Sequence, residues 1–252
     1  MAEIKFLGTA GARFVVAKQL RYSAGTLIRS EEASVILDPG PGTLLRLASS
    51  RPKVDPESLD GIILTHIHLD HSTDTNVLID SFTKGGLKKY GILFAPNEAL
   101  IGDNRVILPF LIPFLDGVHV LKHGESYTYR DISFTAFRHK HSAETYGIKM
   151  KFKEGIVSFI VDTLFFPELI DYYVGSDIIV INVVRLKPQE NLMHLSIDDV
   201  KKLIYGIKPK KAVLTHFGMT MLKAKPFEIA KKLSKELGIT VIAATDGMTI
   251  KI

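Results

Sequence analysis

Cysteine and tryptophan are absent from this 252-residue chain, and no run of eighteen apolar residues occurs in it. Without cysteine there are no disulfides and no thiolate ligands, so any metal must be held by His, Asp or Glu. Without a long apolar run there is no candidate spanning helix, so no membrane partner is expected. The start, Ile4 to Leu7, reads as a strand and lacks the charged-then-apolar layout of a signal peptide. A cytoplasmic protein is therefore expected. Linkers, charge blocks and low-complexity segments are also missing, and residues 1–252 are read as one domain. Hydrophobic residues make up 46% of the chain, ample for a buried core. The net charge of +5 favours anionic partners, from small anionic substrates to nucleic acid, although a lysine-rich solvated surface explains the same excess.

What is present is concentrated in one stretch. Gly61 to Thr65 is a short β-branched run after Asp60, and it reads as a buried strand. Directly after it, His66-x-His68-x-Asp70-His71 delivers three imidazoles and a carboxylate within six residues. In extended geometry His66 and His68 point the same way, toward one cation. Asp70 and His71 stand at the start of a helical pattern, Ser72 to Thr83, and can face a second cation nearby. Imidazole nitrogen with carboxylate oxygen is the donor set that suits zinc, with manganese or iron as substitutes. A polar loop whose histidines merely satisfy backbone groups is the bland alternative, and this spacing disfavours it.

Three further strands each end in candidate ligands. Ser133 to Phe137 leads to His139 and His141, Ile156 to Val161 leads to Asp162, and Lys211 to Thr215 leads to His216. Sites in open α/β sheets collect at the carboxyl ends of strands, which points to one shared cleft. Gly25 to Ile28 and Ser34 to Leu37 form a hairpin that ends at Asp38-Pro-Gly-Pro-Gly42, before a helix over Thr43 to Ser49. Asp38 either caps that helix or hydrogen-bonds a metal-bound histidine. The turn Gly8 to Gly11 lets the backbone approach something closely, either a neighbouring strand or a substrate. Ser196 is an N-cap for a helix over Ile197 to Tyr205, with His194 just before it. A helix over Pro226 to Leu237 and a closing strand pair around Asp246-Gly247 finish the chain. Residues 101–120 hold an apolar stretch broken by two prolines, Val106 to Leu115. It is either ordinary core packing or an insertion that covers the site or pairs with a second copy in a homo-oligomer.

The order Asp38-Pro-Gly, His66-x-His68-x-Asp70-His71, His141, Asp162, His216 resembles the metallo-β-lactamase superfamily over nearly the full length. The resemblance implies an α/β fold, a four-layer αββα sandwich with a dinuclear metal cleft. It implies that His66, His68 and His141 hold the first metal, that Asp70, His71 and His216 hold the second, and that Asp162 bridges them. His141 is preferred to His139 because its spacing to Gly147 looks like that of the phosphodiesterase branch. His139, His119 and His123 are then surface residues or lie behind the ligands. Gly8-Thr9-x-Gly11 and His194-x-Ser196 look like the tRNA 3′-processing endonucleases and related cyclic phosphodiesterases, in which such a histidine protonates the leaving oxygen.

The chain departs from that branch in two places. Only twenty residues separate His141 from Asp162, which leaves no room for the long tRNA-grasping arm. Asn182 stands where the branch has a glutamate that orients the extra histidine. The implied activity is a phosphodiesterase on a small or nucleotide-like phosphoester, through a hydroxide held by two metal ions, with Asp70 and His194 as catalytic residues. A mononuclear iron sulfur-dioxygenase and a non-catalytic metal-bearing sensor or assembly subunit are the alternatives.

Overall fold

The computed structural model describes residues 1–23 and 25–252. The first half runs β1 (Glu3–Phe6), α1 (Ala12–Ala17), β2 (Thr26–Arg29), β3 (Ser34–Leu37), α2 (Thr43–Ser49), β4 (Gly61–Ile63), α3 (Leu69–Ser72), α4 (Thr75–Phe82), β5 (Ile92–Ala95), α5 (Asn97–Leu100) and β6 (Gly117–Val120). The second half runs β7 (Ser126–Tyr129), β8 (Ile132–Arg138), β9 (Tyr146–Lys151), β10 (Ile156–Ile160), α6 (Glu168–Tyr173), β11 (Ile178–Asn182), α7 (Ile197–Ile207), β12 (Lys211–Thr215), α8 (Met219–Lys223), α9 (Pro226–Leu237), β13 (Thr240–Ala243) and β14 (Thr249–Lys251). Among the described residues the strands form two seven-stranded sheets, ordered β14-β1-β2-β3-β4-β5-β6 and β13-β12-β11-β10-β9-β8-β7.

Three apolar clusters account for four layers. Phe6, Leu37, Ile63 and Phe94 of the first sheet meet Phe134, Ile148, Phe159 and Val213 of the second between the sheets. On the outer side of the first sheet, Ile36, Ile62 and Leu93 pack against Leu47, Leu78 and Phe82 of the helices. Outside the second, Ile160, Ile179, Ile181 and Leu214 pack against Leu169, Tyr173, Val200, Leu203 and Leu233. Strands covered on both faces need side chains that are apolar on both, hence the unbroken runs Ile92 to Ala95 and Ile178 to Ile181. The expected αββα sandwich is the observed one.

Strands β3 to β6 are mutually parallel, as are β10 to β13, with β8 running in the β10 direction across antiparallel β9. The residues at or just after the ends of β3, β4, β8, β10, β11 and β12 therefore gather along one edge of the sandwich. They are Asp38, His66 to His71, His139 to His141, Asp162, Asn182 and His216.

Several local expectations change. The helix read over Ser72 to Thr83 is two pieces, α3 and α4, and Asp70 and His71 lie within the first. Helix α1 has no side-chain cap, and nothing in its sequence announces it. The closing strand pair is not a pair: β13 joins β12 in the second sheet, while β14 crosses over to β1 in the first. The 106–115 stretch is a 3₁₀ segment over Pro109–Phe114 followed by Leu115. Ile107, Leu111 and Leu115 are buried with Leu78 and Phe82, so it packs on α4 as core and does not cover the site. Gly8 and Gly11 make close backbone approaches: a Cβ would lie 1.9 Å from the Ser23 carbonyl oxygen at Gly8 and 2.1 Å from that of His216 at Gly11. What they approach are other segments of the same chain, Tyr22-Ser23 and His216.

The start of α7 is a reciprocal cap, with the Asp199 carboxylate accepting from the Ser196 amide (3.1 Å) and hydroxyl (2.7 Å). Burial raises the Asp199 carboxyl, but Ser196 and Lys202 outweigh it and hold it below its usual value. Its contribution is therefore present above the unfolded carboxylate pKa of about 3.9 and is lost as pH falls through the folded value. Asp199→Ala should cost about 1 kcal/mol at pH 7 in denaturant titrations. The difference from wild type should shrink in acid.

Candidate metal centre

The site is organised around Asp162, which is 3% exposed at the end of β10. Its Oδ1 accepts from Asn182 Nδ2 at 2.9 Å. Around Oδ2 stand His71 Nε2 at 3.6 Å, His194 Nδ1 at 3.6 Å, His141 Nε2 at 3.8 Å and His66 Nε2 at 3.9 Å. His216 Nε2 lies 3.4 Å from Oδ1 and 3.6 Å from Asp70 Oδ2. These separations are too long for hydrogen bonds. They are close to the edge of a coordination tetrahedron, about 3.4 Å for bonds of 2.0–2.1 Å.

Local chemistry fixes which ring nitrogen faces inward. Asp38 takes the Thr65 amide on Oδ1 (2.7 Å), and on Oδ2 the Thr65 hydroxyl (2.7 Å) and His71 Nδ1 (2.9 Å). Because the Thr65 hydroxyl proton goes to Asp38, its oxygen accepts from His66 Nδ1 at 3.0 Å. His141 Nδ1 donates to the Met193 carbonyl at 2.9 Å. Each such bond leaves the opposite nitrogen of the ring aimed into the cluster. His66 Nε2, His71 Nε2, His216 Nε2 and His194 Nδ1 are buried without a hydrogen-bond partner among the described residues. Buried polar atoms are rarely left so, and together they fit cations.

Asp38 thus orients histidines and does not cap α2, which has no side-chain cap. Asp38 (φ 52°) and His216 (φ 59°) both hold left-handed backbone conformations, costing about 1–3 kcal/mol each, as constrained sites do. His68 Nδ1 lies 3.1 Å from His141 Nε2. Groups with metal-binding spacing are His66, His68, His141 and Asp162; Asp70, His71 and His216; and Asp38, His66 and His71. The residues singled out by sequence therefore converge. Asn182 meets Asp162 and does not orient His194. His139 is not a surface residue: it is buried behind the cluster, with Nε2 2.7 Å from the Tyr173 hydroxyl. Burial pushes its imidazole down to about 3. Thr65 and the Met193 carbonyl carry no sequence signal, and their roles emerge only from the geometry.

Electrostatics bind the cluster together. Burial opposes ionisation of Asp162, but His216, His194 and His71 hold its carboxyl well below the usual range. Burial likewise pushes His71 down, yet Asp70, Asp38 and Asp162 outweigh it and hold it well above its usual value. His66, buried beside His71, is pushed well below its own.

A family model described as the β-lactamase superfamily domain matches residues 34–217. The chain belongs to the metallo-β-lactamase superfamily. This superfamily is one of metal-dependent hydrolases, and its fold implies a divalent metal. An uncharacterized protein of Methanocaldococcus jannaschii is 30% identical over 257 residues, covering 99% of this chain and 95% of that one. A ribonuclease Z of Thermococcus kodakarensis is 25% identical over 166 residues, 65% of this chain, and the match spans about half (51%) of that enzyme. Among solved structures of the superfamily fold, YhfI from Bacillus subtilis superposes with a TM-score of 0.79 at 16% identity, over 99% of this chain and 98% of that one. A diphosphatase of the PhnP family superposes with a TM-score of 0.74 at 19% identity, over 100% and 98%. At such identities the likeness is one of fold. No helix among the described residues is long and apolar enough to cross a membrane.

A cation entering this metallo-β-lactamase cluster must displace the proton that Asp70, Asp38 and Asp162 stabilise on His71. Metal affinity should rise by about tenfold per pH unit while that proton is bound, read by chelator competition corrected for the chelator's own titration. Asp38→Asn should weaken the metal by about 10–100-fold.

Proposed function

We propose that this single-domain chain is a phosphodiesterase acting on a small or nucleotide-like phosphoester. The observation that carries the reading is the set of unpaired imidazole nitrogens converging on one buried carboxylate. His66, His68 and His141 would hold one ion and Asp70, His71 and His216 the other, with Asp162 between them. The nitrogen and oxygen donors suit zinc, with manganese or iron as substitutes. Bound there, the pair lowers the pKa of a water toward neutrality and polarises the phosphoryl oxygen.

The chain's own residues supply the rest. Asp70, partly exposed, reaches the cluster through Oδ2, 3.7 Å from His71 Nε2, and accepts the nucleophile's proton. His194 is held beside His141, with ring centroids 5.1 Å apart, on the segment whose Met193 carbonyl orients His141. It donates the proton that the departing oxygen needs. Burial holds the His194 imidazole below its usual value, partly offset by Asp162, which makes it a readier donor once protonated. The relatives named ribonuclease Z and PhnP-family diphosphatase support phosphoester chemistry. A cytoplasmic site of action and small anionic substrates belong to the same reading, and the exposed Leu108 and Phe110 are what residues 101–120 offer a second copy of the chain.

Metal analysis combined with a screen of chromogenic and cyclic phosphodiesters tests the proposal. Two ions per chain are expected, with turnover lost to chelator and restored by zinc or manganese. His68→Ala should lower kcat/KM by at least about a hundredfold with the circular dichroism spectrum unchanged. One iron per chain with oxygen consumption would indicate a sulfur dioxygenase. Full metal loading with no hydrolysis of phosphodiesters, lactones or thioesters would indicate a sensor or assembly subunit.

A further inference from the structure

Four of the exposed apolar side chains of this protein stand next to the cluster in the chain or on a helix packed beside it. Leu69, between His68 and Asp70, is 74% exposed; Leu164, two residues after Asp162, is 38% exposed; Leu192, two before His194, is 37% exposed. Phe14 is 63% exposed on α1, a helix packed against α3, where Leu69 stands. The segment leading into α1 is fixed to the cluster. The Gly11 amide donates to the Phe217 carbonyl at 3.0 Å, the Phe217 amide donates to the Thr9 carbonyl at 2.8 Å, and a Cβ at Gly11 would lie 2.7 Å from the His216 ring.

The connections run round the cluster. The Leu164 amide donates to the Lys140 carbonyl (2.8 Å), next to His141. The Leu192 carbonyl accepts from the His194 amide (3.0 Å), and the intervening Met193 carbonyl takes His141 Nδ1. His141 touches His68, whose chain neighbour is Leu69. Singly exposed leucines need no explanation, but four apolar residues flanking one set of ligands do. Arg13 and Lys140, exposed beside Phe14 and His141, stand in no ion pair among the described residues, Lys140 lying over the Phe166 ring at 4.5 Å, so the surroundings favour an anion with an apolar attachment.

We infer that Leu69, Phe14, Leu164 and Leu192 form an apolar collar that seats a flat, uncharged ring attached to the phosphoester, either a nucleobase or an aryl group. The inference rests on the phosphoester reading above and adds the substrate's apolar half to it. Stacking and apolar contact of a ring at such a collar contribute affinity that phosphate alone does not have.

The test is calorimetric titration of the metal-loaded full chain with inorganic phosphate, ribose 5-phosphate, phenyl phosphate, adenosine 5′-monophosphate and adenosine. The nucleotide should bind about tenfold or more tightly than ribose 5-phosphate. Leu69→Ser and Phe14→Ser should each move that ratio toward one, with metal content and inorganic phosphate affinity unchanged. An equal gain for phenyl phosphate assigns the collar to aryl groups in general, and a gain confined to the nucleotide assigns it to nucleobases; either supports it. Equal affinity for the nucleotide and ribose 5-phosphate, or a preference that survives the Leu69→Ser/Phe14→Ser double variant, overturns it. If inorganic phosphate fails to bind while adenosine binds and is lost in Leu69→Ser, the phosphoester reading falls and the collar stands. If no ring-bearing ligand binds, the collar falls.

Discussion

A single buried carboxylate sets the terms for the rest of this protein. Asp162 sits with one amide donor, Asn182, and a ring of imidazoles at distances too long for hydrogen bonding. Removing a carboxylate from water costs several kcal/mol unless charge and hydrogen bonds compensate it. Positive charge must therefore reside in the cluster, as a proton on His71 or as a metal in its place. Everything that aims the imidazoles inward, from the Asp38–Thr65 bonds to the Met193 carbonyl, serves that one requirement.

The sandwich explains how so many groups reach one point. Strands on both sides of the central core end at the same edge, so the connections after β3, β4, β8, β10, β11 and β12 bring their side chains to one place. The left-handed backbone at Asp38 and His216 lies at this edge, where packing from two sheets holds it. The same architecture leaves Phe14 of α1 and Leu69 of α3 uncovered.

How much of this could be read from the sequence depended on the range of the interaction. His66 to His71 were legible because their spacing is local and follows a strand, and Thr43–Ser49, Lys211–Thr215 and Pro226–Leu237 were legible from the Pro-Gly turn before the first, the apolar run of the second and the amphipathic period of the third. His141, Asp162 and His216 were visible as strand-end residues, though choosing His141 over His139 needed the family pattern. What stayed hidden depends on tertiary contact. Thr65 acts through its hydroxyl, which donates to Asp38 and accepts from His66, Met193 acts through its carbonyl, and His139 is buried against Tyr173 and Gly147. Helix α1 has no cap signal, and β14 chooses β1 over its chain neighbour β13 for reasons of packing between the sheets.

That last exchange sets the final strand of the chain beside the first. Strand β14 pairs with β1, and the loop before it is tied in by the Gly247 amide to Phe6, the Phe6 amide to Met248 and the Thr9 hydroxyl to Asp246. The edge of the sheet that carries Asp38 and His66 to His71 is thus completed by residues translated after every one of the ligands. Truncation before residue 249 would therefore keep every candidate ligand in the chain and remove the strand that closes this sheet against β1.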